Sequence, residues 1–231
     1  MSRTQRQEEI LQHLHRERFA TVRELSERPF ISPSSIRRDL AELEHRGLVR
    51  RTHGGVTLPE TVAGVASFQK RKEQNVQGKR LLAKKAARFL ADGQSIMLDS
   101  SSTVSFLLPY IARHSGIRLF TNNLSTAMDA IALGIDTCCI GGHAAQGSVV
   151  LGGPLACQAM ENLRFDTVFF SSQSLDEEGV ISDSCEEENY LRQLMLRRAS
   201  RKIFLCDREK LGKRSLHTLC RLDQVDEAVF E

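Results

Sequence analysis

Two groups of residues in this chain can do chemistry, and both suit a negatively charged partner. The first is a series of hydroxyls, amides and glycines: Asp99-Ser100-Ser101-Ser102-Thr103, Thr121-Asn122-Asn123 and Gly141-Gly142, followed much later by Asp207 and Lys210. Hydroxyls and free backbone N–H groups at the start of a helix hold an anion, and Lys210 adds a cation. The second group is arginines near the N-terminus, Arg37-Arg38 and Arg50-Arg51. Arginine is the side chain best fitted to bidentate contact with guanine or phosphate. Taken singly, each signal is weak. A serine-rich loop is usually only a loop, and Gly-Gly usually only a turn. Arg37 and Arg38 read equally well as solvated surface charges paired with Glu42 or Asp39.

The elements that must position the arginines are three helices and a hairpin. Ile10, Leu11 and Leu14 form one apolar stripe over Thr4 to Glu17. Thr21 caps a short second helix holding Val22 and Leu25, and Pro29 ends it. Ser32-Pro33, a serine N-cap followed by proline at the first helical position, opens the third helix. Gly47 stops it. At about 100° per residue, Ile36, Leu40 and Leu43 make its buried stripe. Ser34, Arg38, Ala41 and His45 face the other way, with Arg37 at one flank. A small or basic outer face suits a major groove. Leu48 to Val56 reads as a basic hairpin turning at His53-Gly54-Gly55. This order is that of a winged helix-turn-helix, and it puts Arg50-Arg51 on the wing, where phosphate contact is expected.

Beyond a polar stretch from Thr57 to Gly78, helix and strand alternate. The pattern predicts helices over Lys79–Leu90, Val104–Ala112 and Leu124–Leu133. It predicts strands over Ser95–Leu98, Arg118–Thr121, Thr137–Ile140, Thr167–Ser171, Lys202–Cys206 and Glu227–Phe230. Short, nearly continuous apolar strands alternating with helices imply an α/β fold with a mostly parallel sheet covered on both faces. The hydroxyl, amide and glycine clusters then fall at the carboxyl ends of successive strands, where open α/β sheets bind ligands. The expected organisation is a DNA-binding domain over 1–58, a linker over 59–78 and an α/β effector-binding and oligomerisation domain over 79–231.

Composition narrows the class without deciding it. The 231 residues are 41% hydrophobic and 26% charged, which is ordinary for a globular protein. A net charge of +3 is too small to prove nucleic-acid binding. Residues 1–60 hold 11 arginines, no lysine and 9 acids, so placement matters more than total. There is no run of about 18 apolar residues to span a membrane, and the polar stretch Met1 to Glu9 argues against a secretory signal. Cys138, Cys139, Cys157, Cys185, Cys206 and Cys220 include no C-x-x-C pair. They are expected to be buried thiols in a reducing cytoplasm, without structural zinc, and no cofactor is expected.

The motifs together resemble the DeoR family of transcription regulators over nearly the whole chain. Ile31-Ser32-Pro33-Ser34-Ser35-Ile36-Arg37-Arg38-Asp39-Leu40, Leu43-Glu44, Gly47-Leu48 and Arg51-Thr52-His53-Gly54-Gly55 are similar to the family's V-S-x-x-T-I-R-R-D-L, L-x-x-x-G and R-x-H-G-G. Phe68, Arg71, Asn75 and Lys79 match its junction between linker and sensor. Asp99 to Thr103 stands at its D-x-G-T-T, and Asp207-x-x-Lys210 matches as well. The chain departs from the pattern at Ile31, Ser35, Pro29, Ser101 (for glycine) and Ser171-Ser172 (for Gly-Ala).

The resemblance implies a winged helix-turn-helix followed by an α/β sensor domain like ribose-5-phosphate isomerase. It implies a regulator, most often a repressor of sugar-metabolism genes. Its partners would be double-stranded operator DNA and a phosphorylated sugar, not a membrane, and it would act as a cytoplasmic homodimer or homotetramer. Ser32, Ser34, Ser35, Arg37, Arg38, Arg51 and His53 would contact DNA. Lys79, Asp99, Ser100, Ser101, Ser102, Thr103, Thr121, Asn122, Asn123, Gly141, Gly142, Glu188, Asp207 and Lys210 would line the effector site. Phosphate is expected against Ser101–Thr103, sugar hydroxyls on Asp99, and Lys79 at the junction that transmits occupancy. The rival from another class is a sugar-phosphate isomerase, with Glu187 or Glu188 as base. Against it, Ile181-Ser182-Asp183-Ser184-Cys185 lacks the lysine and glycines that precede that glutamate in such enzymes. An activator of the same architecture is a further alternative.

Overall fold

The computed structural model describes residues 3–17, 19–26, 32–45, 48–52, 54–57, 68–145 and 147–231. Two compact units emerge: Met1–Ser67 with Gln146–Ser148, and Phe68–Ala145 with Val149–Glu231. The expected helix end at Pro29, helix stop at Gly47, turn residue His53 and linker residues 59–67 lie outside the described residues.

The first unit is built from α1 (Arg3–Glu17), α2 (Val22–Ser26), α3 (Pro33–His45), β1 (Phe19–Ala20), β2 (Arg50–Thr52) and β3 (Gly55–Thr57). The strands form an antiparallel sheet in the order β1-β3-β2. Ile10, Leu14, Leu25, Ile36, Leu40, Leu43, Val49 and Val56 pack into its core, as the helical spacing requires. Thr21 and Glu24 make a reciprocal cap. The Glu24 amide donates to the Thr21 hydroxyl at 3.1 Å, and the Thr21 amide to the Glu24 carboxylate at 2.7 Å. The Ser35 amide donates to the Ser32 hydroxyl at 3.2 Å, starting α3. Gly55 has no room for a side chain, since a Cβ there would collide with the Ala20 carbonyl and the Phe19 ring. Asp39, the one acid on the inner side of α3, is buried and paired with Arg3 at 3.3 Å and with Arg6 more closely.

The second unit carries a six-stranded sheet, β14-β12-β9-β4-β5-β6, with every neighbouring pair parallel. Its strands are β4 (Ser95–Leu98), β5 (Arg118–Thr121), β6 (Asp136–Cys139), β9 (Phe165–Phe170), β12 (Ala199–Cys206) and β14 (Glu227–Phe230). Successive residues alternate between two cores. Ile96, Leu98, Leu119 and Leu205 meet α5 (Val76–Ala86), α6 (Leu108–Ile111) and α7 (Leu124–Ala132). Met97, Phe120, Phe204 and Cys206 meet α8 (Gly153–Glu161) and α9 (Glu186–Arg198). A hairpin, β7 (His143–Ala144) with β8 (Leu151–Gly152), follows β6. Strands β10 (Ser174–Leu175), β11 (Val180–Asp183) and β13 (His217–Arg221) form a small antiparallel sheet.

Several expectations are corrected. Residues 68–78, expected as linker, are largely helical and belong to the second unit: α4 spans 68–73 and Phe68 is buried. The helix expected from Lys79 starts at Val76, because Asn75, at φ 43°, caps it by accepting from the Gly78 amide at 3.2 Å. The helix expected over Val104–Ala112 is a 3₁₀ turn, Val104–Leu107, followed by α6, with Pro109 in the first turn. Only Cys206 of the six cysteines is fully buried, and Cys138 is exposed.

The Asp39 pairs fasten α3 to α1, and they generate a prediction. Asp39→Ala leaves Arg3 and Arg6 without their buried acceptor and costs about 1–3 kcal/mol. Hydrogen exchange of the full chain checks it: amides of α1 and α3 should exchange faster, while those of α5 keep their protection.

Candidate functional site

The outer face of the first unit follows directly from the inner one. With Ile36, Asp39, Leu40 and Leu43 buried, Ser34, Arg37, Arg38 and Ala41 are exposed on α3. Among the described residues neither Arg37 nor Arg38 joins an ion pair, because the neighbouring acids are engaged. Asp39 is held by Arg3 and Arg6, and Glu42 lies 3.7 Å from Arg3. Glu44 accepts from the Arg51 amide at 3.0 Å, tying α3 to β2. That bond presents Arg50 and Arg51 on an exposed strand. Ser32 is exposed and Ser35 half-buried; the Ser32 hydroxyl lies 2.9 Å from that of Ser34 and 3.0 Å from that of Ser35. This face offers free guanidinium groups and small hydroxyls, the surface that phosphate and base-edge contact needs.

The second unit holds a cleft of about 230 Å³ at the carboxyl ends of β4, β9 and β12. Its position follows from strand order. From β4 the chain winds outward to β5 and β6; it then returns to β9 on the other side of β4 and winds outward to β12 and β14. The connections after β4 and β9 therefore leave in opposite directions and open a crevice. Ser100 to Thr103 line one wall and Ser171 to Gln173 the next. Asp207 and Lys210, after β12, close the far side, and Arg71, Asn75 and Lys79 come from α4 and the start of α5.

The cleft is cationic at its centre. Lys210 Nζ donates to the Ser171 hydroxyl at 2.7 Å and the Thr103 hydroxyl at 3.1 Å, and lies 3.1 Å from Asp207. Lys79 is buried, with its Nζ donating to the Arg71 carbonyl. Burial, and next the charge of Lys210, push the Lys79 ammonium down to about 8, against the opposing pull of Asp207. Two lysines close enough for the charge of one to disfavour that of the other, beside hydroxyl donors, are poised for an anion. The helix after Thr103 adds less than expected. Only one 3₁₀ turn and one α-turn long, it has a short dipole, so the lysines supply most of the attraction.

An ion cluster forms part of the cleft's wall: Asp183, Glu188 and Arg192 line it, and Asp99 is fully buried against them. Arg192, on α9, donates to Asp99 at 2.8 Å and Asp183 at 2.9 Å and lies 3.7 Å from Glu188. Asp99 also accepts from the Ser101 amide at 3.1 Å and hydroxyl at 2.6 Å, and from the Ser171 amide at 3.3 Å. The Ser100 hydroxyl donates to Glu188 at 3.0 Å. Asp99, fully buried, is thus committed to protein donors. It fastens the two loops and is not placed to accept sugar hydroxyls as expected.

Of the residues expected at the effector site, Lys79, Ser100, Ser101, Ser102, Thr103, Glu188, Asp207 and Lys210 line the cleft. Thr121, Asn122, Asn123, Gly141 and Gly142 do not. They stand at or just after the ends of β5 and β6, one and two strands away from the point where the winding reverses. Asn123 caps α7, accepting from the Thr126 amide at 3.0 Å, and donates to the Ser100 carbonyl at 3.2 Å. Thr121 accepts from the Asn123 amide, and Asn122 donates to the Leu151 carbonyl at 3.0 Å. Gly142, at φ 141°, has no space for a Cβ, which would stand 2.6 Å from the Gly152 carbonyl oxygen. The hydroxyls of Ser171 and Ser172 are tied to the Leu205 and Ser182 carbonyls. Sequence reasoning missed Arg192 as a strut; its signal was the four-residue spacing from Glu188. His53 lies outside the described residues.

Comparison with known proteins covers both units. The model of a DeoR-like helix-turn-helix domain matches residues 6–62, and that of a DeoR C terminal sensor domain matches residues 74–231. The HTH-type transcriptional regulator GlpR of Haloferax volcanii is 31% identical over 89% of this chain and 81% of its own. The lactose phosphotransferase system repressor of Staphylococcus aureus is 28% identical over 100% of this chain and 93% of its own. Among solved structures, eIF2B delta from Chaetomium thermophilum shares the fold at 11% identity and a TM-score of 0.51, over 87% of this chain and 64% of that one. A ribose 5-phosphate isomerase from Methanocaldococcus jannaschii aligns at 15% identity and a TM-score of 0.45, over 60% of this chain and 55% of that one.

The lowered Lys79 ammonium sets a pH dependence. An anion in the cleft favours the charged lysine, so above about pH 8 binding must take up a proton. Affinity for inorganic phosphate should then fall up to about tenfold per pH unit, and Lys79→Met should weaken binding and flatten that profile. Without ligand, the Lys79 contribution to stability rises from about pH 8 toward 10.5, because the unfolded chain keeps the proton longer. Calorimetric titration between pH 7 and 9.5 checks the binding arm.

Proposed function

The chain belongs to the DeoR family of transcription regulators, and from that premise we propose that it is an effector-controlled repressor of sugar-metabolism genes. The unpaired Arg37 and Arg38 on the exposed face of α3, with Ser32, Ser34 and Ser35 at its start, read double-stranded operator DNA. Arg51 holds phosphate from the adjoining strand. The cleft around Lys79, Lys210 and Thr103 holds the phosphate of a phosphorylated sugar, and Ser100, Ser102, Glu188 and Gln173 face its hydroxyls. One observation carries this reading: two lysines converge on a hydroxyl-lined crevice where the sheet reverses its winding, in a chain whose other unit presents unpaired arginines. The names of the relatives support the repressor assignment, since the Staphylococcus aureus protein is named for a sugar phosphotransferase system.

The protein works in the cytoplasm as a homodimer or homotetramer, because one winged helix covers a short half-site and pairing supplies affinity. Turnover is not part of this reading. Glu188, the candidate base, is already engaged: it accepts from the Ser100 hydroxyl at 3.0 Å and lies 3.7 Å from Arg192.

Arg38→Ala tests the DNA face. On the genomic fragment that the wild-type protein selects, it should weaken binding by about 1–3 kcal/mol, the worth of a bidentate base contact, with an unchanged thermal midpoint. In cells, loss of the protein should raise transcription from that fragment. An unchanged binding isotherm at physiological salt contradicts the assignment of α3, and falling transcription contradicts repression.

A further inference from the structure

The four residues of α7 that are exposed as a whole are apolar, and the one charged residue of the helix, Asp129, sits at the rim of that face paired with Lys72. The four are Leu124, Met128, Ile131 and Ala132, with Leu133 directly after; Met128 is 68% and Ile131 58% exposed. Spacing of four and then three residues lines up 124, 128 and 131 along one side of the helix. The other side is buried, with Ala130 in the core beneath the sheet. The exposed positions of α5 and α9 are mixed: α5 exposes Arg80, Lys84 and Lys85 around Leu81, and α9 exposes Glu186, Glu187 and Arg197 around Tyr190. A helix apolar on both sides is one that is covered on both sides. Beside it runs β6, the last strand of the six-stranded sheet, an edge of the kind that proteins pair or cover.

Charge identifies what covers this face. A two-fold interface sets each residue near the axis against its own copy, so a charge there repels itself. The outer face of α7 has none. At its rim, charges occur as neutral pairs, Lys72–Asp129 at 2.6 Å and Arg118–Asp136 at 3.0 Å. In an isologous contact, the lysine of one copy can meet the aspartate of the other without net repulsion. A strongly basic or acidic partner would find no complement here. We propose that the outer face of α7, with the adjoining edge at β6, is the surface through which a second copy of this chain docks about a two-fold axis. The inference rests on the oligomeric reading given above and deepens it by assigning the face.

The test uses the full-length protein in sedimentation at micromolar concentration. The wild type should sediment as a dimer or tetramer. Met128→Lys combined with Ile131→Lys should halve that mass, with circular dichroism and phosphate-induced thermal shift unchanged. Hydrogen exchange on the wild type avoids any dependence on the variant's folding: amides of 124–139 should gain protection as concentration rises through the association range. A wild-type oligomer whose variant keeps the same mass overturns the assigned face and leaves the oligomeric reading intact. A wild-type monomer overturns both. Protection of 124–139 that is independent of concentration across that range gives the face to another part of the same chain and overturns the inference.

Discussion

The second unit depends on one constraint: its parallel sheet is wound in two directions from β4. Parallel strands need crossover connections, and where those crossovers part company the loops separate and leave a crevice. Between β4 and β9 the fold builds the Asp99–Arg192 pair into the wall of that crevice. Asp99 takes the Ser101 amide and hydroxyl from one loop and the Ser171 amide from the other. Arg192 adds Asp183 and Glu188. A buried charge survives only when paired and hydrogen-bonded, so each member holds the others in register. The consequence is a ledge of hydroxyls beside a paired ion cluster, with Lys210 and Lys79 left out of that pairing and lining the crevice as well.

In the proposed function, this arrangement assigns recognition to cations rather than to a helix terminus. A long helix starting at Thr103 would bring a strong dipole to the loop, but the 3₁₀ turn and Pro109 prevent one. Lys210 is steered by two hydroxyls and Asp207, and Lys79 by the Arg71 carbonyl. Because Lys79 sits at the start of α5 and Arg71 on α4, an anion that draws Lys79 inward acts on the segment that leads into the unit. Ligand shifts an equilibrium only through such a difference in contact between two states.

What was legible in the sequence was local. Ser32-Pro33 marked the start of α3, and Ile36, Leu40 and Leu43 its buried side, because caps and helical periodicity involve neighbours within a few residues. Strands β4, β5 and β14 were bounded correctly for the same reason. Strand order was not legible: alternation of helix and strand is the same whichever way the chain turns after β6. Thr121–Asn123 and Gly141–Gly142 were therefore grouped with a crevice that lies one and two strands away. Asp99 read as a ligand because its partner is 93 residues distant. Helix α9 escaped notice because Asn189 and Arg192 occupy its inner side, which breaks the apolar stripe. Helix α8 opens on Gly153-Pro154, which reads as a turn.

In the proposed function, a phosphorylated sugar entering the crevice between β4 and β9 controls DNA binding. Fluorescence anisotropy of the selected DNA fragment, titrated at pH 7 with a panel of sugar phosphates and their unphosphorylated parents, tests it most directly. The account predicts that at least one sugar phosphate changes DNA affinity about 5–150-fold while its parent sugar does not. It also predicts that Lys210→Met binds the fragment normally but loses the response. An equal response to the unphosphorylated sugar, or a wild-type response from Lys210→Met, would contradict the account.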